Sequence, residues 1–181
     1  MVTGLPITES NLILTGYIEP NKPRIGRQVA ERLKMPFVDV EEHIEQRVGD
    51  KRDRLREFYG ERHLRAIEQS VMEEIVLHRQ VVLRVSGSTL MHNEHYEQMQ
   101  RTGVMVCLVA RLDSILQGMH LMFGTRYHDP HVRGAQLGHL RREWQVRKKP
   151  GLHEVDATYL DEPALIEAII TLWQTVSIQR I

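Results

Sequence analysis

Cysteine occurs once in the 181-residue chain, at position 107. A single thiol forms no intrachain disulfide, so a reducing, cytoplasmic setting is expected. Cys107 also lies inside the apolar run Val104–Val109, with no neighbouring cation to make it a nucleophile, and is expected to be core packing. Net charge is missing too. Lys plus Arg and Asp plus Glu number 24 each, which removes any global pull toward nucleic acid or an anionic membrane and leaves anion binding to local clusters. No run approaches the roughly 20 apolar residues of a membrane span. Residues 1–10 lack the basic start and apolar stretch of a secretory signal. Repeats, low-complexity tracts and linkers are absent as well. What is present is an ordinary globular composition, 41% apolar, over a length that suits one domain spanning 1–181.

The apolar pattern alternates between short runs and helical spacing. Asn11 to Thr15 reads as a buried strand that stops at Gly16. Ile25, Val29, Ala30 and Leu33 then recur on one helical face. Phe37–Val40 reads as a second strand, Glu41–Val48 as a helix, and Leu55 to Val76 as a strongly charged helical stretch. Val81–Val85 and Val104–Val109 are the third and fourth strands, and a helix is expected from 112 to 122. Residues 123–138 carry Gly124, Pro130, Gly134 and Gly138 and read as a mobile loop. A basic helical end at 141–149, a strand near Ala157–Leu160 and a helix from Pro163 to Val176 complete the chain. Short apolar strands alternating with helices imply an α/β fold, a parallel sheet covered on both faces.

The first strand ends in a turn that opens a helix, the device by which backbone N–H groups and a helix N-terminus hold phosphate. Against the pattern G-x-x-x-x-G-K-[ST], the segment from Gly16 to Pro23 keeps Gly16 and Lys22 in register. Asn21 replaces the second glycine and Pro23 the hydroxyl residue. Pro23 supplies neither a hydroxyl for a metal nor a backbone N–H, and Pro20 deletes a second donor. Each lost N–H to a phosphate oxygen costs about 1.5–3 kcal/mol. Asn21 tolerates a left-handed backbone, and Arg24 adds charge on the first helical turn.

Around this turn, Arg24–Leu33 and then Met35-Pro36-Phe37-Val38-Asp39-Val40-Glu41-Glu42-His43-Ile44-Glu45 resemble the shikimate kinase family, which runs G-x-x-G-x-G-K-S-T-x-G-R-x-L-A-x-x-L and then P-F-x-D-x-D-x-x-I-E. The resemblance continues through Phe58, Gly60-Glu61, Leu64-Arg65 and Glu68, through Ser86-Gly87-Ser88 where the family has a glycine triplet, and through Pro150–Val155. It spans nearly the whole chain, although no single motif is intact. It implies a three-layer P-loop kinase fold: a five-stranded parallel sheet with helices on both faces and a mobile lid at about 123–138.

The resemblance also assigns roles. Gly16, Asn21, Lys22, Arg24 and Arg126 would contact nucleotide, with Lys22 as a point charge on the phosphates and Arg126 closing from the lid. Asp39 would lie near Mg²⁺. Glu41 falls where the family places an aspartate on the attacking hydroxyl, so Lys22, Glu41 and Arg126 form the catalytic set. Arg65 matches the arginine that grips the substrate carboxylate. Asp39, Ser86, Gly87, Ser88 and Lys148 would line the rest of the acceptor pocket, with Lys148 in place of a second arginine. The implied cofactors are Mg²⁺ and ATP, and the implied partner is shikimate or a similar small hydroxy acid, with no nucleic acid and no membrane.

Two readings follow. One is phosphoryl transfer from ATP to the 3-hydroxyl of shikimate, a step of aromatic amino acid biosynthesis, through an altered loop. The other is a kinase-derived binding or regulatory protein that keeps a small-acid pocket without ATP turnover. A different acceptor, with Glu41 and Lys148 as adaptations, is a third. The pairs His92/His95 and His128/His131 have i, i+3 spacing but no third ligand, and argue weakly for a metal.

Overall fold

The computed structural model describes residues 9–16, 24–49 and 52–179. Its elements are β1 (Asn11–Gly16), α1 (Arg24–Leu33), β2 (Phe37–Asp39), α2 (Val40–Val48), α3 (Arg52–Ile75), β3 (Val82–Arg84), α4 (Gly87–Leu90), α5 (His95–Thr102), β4 (Gly103–Val109), α6 (Leu112–Phe123), α7 (Pro130–Trp144), β5 (His153–Asp156) and α8 (Glu162–Gln179). The five strands form one sheet in the order β2-β3-β1-β4-β5, and every pairing is parallel. The expected architecture is present.

Because β1 and β4 are covered on both faces, they are apolar throughout rather than alternating; all seven residues of β4 are buried. One face packs Ile13, Leu83, Met105 and Cys107 against Val40 and Ile44 of α2, Leu64 and Met72 of α3, and Tyr96 and Met99 of α5. The other packs Leu12, Leu14, Val104 and Val106 against Val29 of α1 and Ile169 and Trp173 of α8. Full burial of a side chain such as Leu12 contributes about 2 kcal/mol relative to exposure. Asn11, fully buried at the start of β1, is polar because it ties strands together. Its side chain donates to the His78 carbonyl at 2.8 Å, accepts from the Val81 N–H at 3.1 Å, and its carbonyl accepts from the Trp173 indole at 3.3 Å. Cys107 is core, as expected: it is 0% exposed, and burial pushes its thiol up to about 12.

Two expectations need correction. The stretch 123–138 is helical rather than a loop: a 3₁₀ segment covers Gly124–His128 and α7 begins at Pro130. Asp129 caps α7, its carboxylate accepting the His131 N–H at 2.9 Å, and proline suits the first helical position, where no N–H is required. The last strand is His153–Asp156, not Ala157–Leu160. As an edge strand it buries only Val155, so its apolar signal is a single residue, and the following segment turns on the Asp156 carboxylate, which accepts the Thr158 N–H at 2.9 Å. Between β3 and β4 lie two short helices, α4 and α5, that the apolar pattern did not announce.

Candidate active site

Parallel strands send all their carboxyl ends to one edge, where open α/β sheets place ligands. In this chain Gly16, Asp39 and Arg84 end β1, β2 and β3 on that edge, and Asp39 is in register with Arg84. Gly16 has φ +99°, and a Cβ there would lie 2.2 Å from the Leu108 carbonyl oxygen, so the exit from β1 accepts only glycine. Asn21 and Lys22, with the rest of the turn at 17–23, lie outside the described residues. Arg24, the first residue of α1, forms an ion pair with Glu162, the first residue of α8.

The acceptor side is assembled around the head of α4. Asp39 is buried at 6% exposure and caps α2, accepting the N–H groups of Glu41 at 3.1 Å and Glu42 at 3.4 Å. Both of its carboxylate oxygens also accept from Arg84 Nη1, at 3.2 and 3.3 Å. Glu41, on the first turn of α2, accepts the Ser86 N–H and the Thr89 hydroxyl through Oε1, each at 3.0 Å. Ser86 caps α4, its hydroxyl oxygen accepting the Thr89 N–H at 3.1 Å. The structure thus brings together Asp39, Glu41, Ser86, Gly87 and Ser88.

It also adds Glu143, which sequence reasoning missed. Glu143 comes from the last turn of α7, is 3% exposed, and accepts the Gly87 N–H at 2.6 Å and the Ser88 N–H at 3.4 Å. Gly87 is required here, because a Cβ would meet the Glu143 carbonyl oxygen at 2.2 Å. Burial raises the Glu143 carboxyl from its ordinary 4.5 to about 7; the Gly87 and Ser88 amides and Arg84 pull it down, and the charge of Glu41 pushes it up. The available signals were slight: one glutamate inside the basic run 141–149, and a charged Arg84 in an otherwise buried strand.

The cations expected around the substrate are placed differently. Arg65 has a half-exposed side chain and sits 3.5 Å from Glu61, one helical turn away, the ordinary arrangement of a helix-surface pair. Arg126 and Lys148 are both exposed. None of the three is joined to the Asp39–Glu41–Glu143 group by a described hydrogen bond. The histidine pairs serve packing: His92 Nδ1 lies 2.7 Å from Glu68, and buried His95 bridges the Thr89 carbonyl and Gln69, each at 2.9 Å. His128 and His131 are exposed. Among the described residues no group of three His, Cys, Asp or Glu side chains could hold a metal.

Asp39, the residue expected near Mg²⁺, has both carboxylate oxygens facing the Arg84 guanidinium, and one of them also caps α2.

Comparison with known proteins bears on the family and the fold. The family model for shikimate kinase covers residues 21–167. A shikimate kinase of Caldicellulosiruptor bescii is 29% identical over 107 residues, which is 59% of this chain and 62% of that protein. One of Oceanobacillus iheyensis is 25% identical over 143 residues, covering 79% and 76%. The chain therefore spans less than two thirds of the first of these relatives. In fold, the shikimate kinase of Bacteroides thetaiotaomicron superposes with a TM-score of 0.72 at 23% identity, covering 92% of this chain and 97% of that one. That of Acinetobacter baumannii, solved with shikimate, gives 0.68 at 20%, covering 93% of each.

Proposed function

The chain belongs to the shikimate kinase family, and on that footing we propose that it is a shikimate kinase-like binding or regulatory protein that keeps the acceptor side of the pocket and does not turn over Mg·ATP. One observation carries this reading: Asp39, the residue the family resemblance places by the metal, is committed to Arg84 and to the α2 cap. A divalent ion at that carboxylate would have to compete with the partly exposed Arg84 guanidinium for the same two oxygens. The turn sequence supports the same conclusion, since Pro23 offers no hydroxyl and Pro20 and Pro23 no N–H. Magnesium, when bound in a kinase, neutralises charge on the transferring phosphoryl group.

A second reading, phosphoryl transfer from ATP to the 3-hydroxyl of shikimate, is favoured by Glu41. Its carboxylate stands at the sheet edge, at the head of α4, where a base for a hydroxyl would be needed. A coupled assay with shikimate and Mg·ATP divides the two. The proposal predicts no turnover above background. Turnover that Lys22→Ala abolishes would establish the kinase instead.

A further inference from the structure

His95 opens α5, and its side chain is 0% exposed. Both of its ring nitrogens are in use. Nδ1 lies 2.9 Å from the Thr89 carbonyl oxygen, and Nε2 lies 2.9 Å from Gln69 Oε1 on α3. A carbonyl oxygen can only accept. The Gln69 amide is oriented by its other partners: its Nε2 donates to Glu73 at 2.9 Å, and its Oε1 accepts from the Asn93 amide at 3.0 Å. Turning that amide over would set Oε1 against the Glu73 carboxylate and its NH₂ against that of Asn93. Gln69 Oε1 is therefore an acceptor toward His95 too. Each oxygen has lone pairs for both of its donors, the Thr89 carbonyl taking the His92 N–H at 3.1 Å as its second. A neutral imidazole has one N–H, so it would serve one of these oxygens and point a lone pair at the other. The imidazolium, with two N–H groups, satisfies both.

Through Thr89 this ring reaches the acceptor side. The Thr89 hydroxyl donates to Glu41 Oε1 at 3.0 Å, and the same oxygen takes the Ser86 N–H. A bridge thus runs from Gln69 through His95 and Thr89 to Glu41, joining the helix that carries Arg65 to the first turn of α2. Whichever ring proton leaves, the bridge opens: loss at Nε2 frees α3, and loss at Nδ1 frees the Thr89 carbonyl. The titratable and charged groups on the elements around it are Glu41 from α2, Glu68 and Glu73 from α3, and Glu143 from α7, with His92 beside Glu68. Those on α5 itself are Glu97 and Arg101, and β4, on which α5 packs, contributes Cys107.

We propose that His95 is a positioning residue of the acceptor side: donating from both ring nitrogens as an imidazolium, it fixes α3 to Thr89 and so sets the Glu41 carboxylate against the Ser86 amide, and loss of one ring proton releases that setting. The proposal rests on the reading that Glu41 and 86–88 line the acceptor pocket.

Nitrogen-15 spectra of the full chain, labelled at histidine, read the ring directly. At pH 7.5 an exposed histidine, which loses its proton at about 6.5, is mostly neutral; His95 is expected to show both ring nitrogens protonated. Two substitutions at half-buried Gln69 then move the pH at which the second proton leaves. Gln69→Glu keeps an acceptor and adds a charge, and should raise that midpoint by at least about one pH unit; Gln69→Leu removes the acceptor and should lower it by as much. Protection of the Ser86 amide, measured by hydrogen exchange against its intrinsic rate, should fall at the His95 midpoint and move with it in both variants. Glu143 titrates at about 7 on the neighbouring amides and has no bond to Gln69, so a transition governed by Glu143 would stay in place.

A single protonated ring nitrogen at pH 7.5, a His95 midpoint that neither variant moves, or Ser86 protection that does not follow it would each overturn the proposal. The wild-type spectrum needs no variant, and none of these measurements needs a ligand. Failure of the binding-protein reading shows elsewhere, as Mg·ATP turnover in the coupled assay, so the two failures are distinguishable.

Discussion

Two places on the same sheet edge have departed from the family pattern in different ways. At the end of β1 the glycine exit survives and the sequence that follows departs from the family pattern. Gly16 still makes the tight exit that only glycine allows, but Asn21 and Pro23 stand where a glycine and a hydroxyl would serve phosphate. Around α4 the carboxylates of the pattern are present and bonded within the protein. Asp39, Glu41 and Glu143 are all ordered, and each is hydrogen-bonded to the protein itself. Loss of donors in a turn removes a ligand without disturbing the fold, since a loop tolerates prolines. A buried polar group has no such freedom: it must find partners inside the protein or cost stability. The inward-turned carboxylates follow that rule.

The comparison can be broken where contact is tightest. Gly87→Ala would drive a methyl group into the Glu143 carbonyl at 2.2 Å. It should cost about 3 kcal/mol, or roughly 10 °C of Tm in a chain of this size, read by thermal denaturation. A change below 2 °C would mean that α7 and α4 are not locked together.

Nearly as large is the pH dependence of Glu143. Its folded carboxyl titrates at about 7 against an ordinary 4.5, so the folded state binds a proton that the unfolded state releases between those values. Below 4.5 both states are protonated and nothing is lost. Stability then falls as pH rises, reaching a penalty of about 3 kcal/mol above 7. Wild type should therefore lose that amount relative to Glu143→Gln between pH 4.5 and 8, as measured by urea denaturation. A constant difference would place the Glu143 carboxyl in its ordinary range.

Thr89 sharpens the picture at smaller scale. Thr89 is 0% exposed, and its hydroxyl donates to Glu41 and accepts from Ser86. Thr89→Val keeps shape and removes both bonds, for about 1–3 kcal/mol. Arg65→Ala is the smallest expected effect. A half-exposed pair with Glu61 contributes about 0–1 kcal/mol, so ligand binding and Tm should both be unchanged. A loss of ligand affinity would return Arg65 to the pocket.

Much of this was legible in the chain. β1, α1, α2 and β4 announce themselves because core elements repeat apolar residues at their own period, as Leu12 and Leu14 do beneath Val29 while Ile13 packs on the other face. Asp39, Glu41 and the 86–88 segment could be found from the family pattern. β5 could not be placed, because an edge strand that buries Val155 alone leaves almost no pattern. α7 was hidden by Gly134 and Gly138, which signal a loop but stand in helix where a Cβ would meet nothing closer than 3.5 Å. Arg65 shows the limit of position: the family register puts an arginine there, and its direction is set by Glu61, four residues earlier. Glu143 and Arg84 were out of reach for a similar reason. Their meaning lies in partners 56 and 45 residues away in sequence.

The measurement closest to the centre of this account is titration of Mg·ATP into the full chain by calorimetry, with Lys22→Ala alongside. Commitment of Asp39 to Arg84 and the loss of donors at Pro20 and Pro23 predict no saturable heat from either protein. Saturable binding by the wild-type chain that disappears in Lys22→Ala would contradict it, and would restore a working phosphate loop at the end of β1.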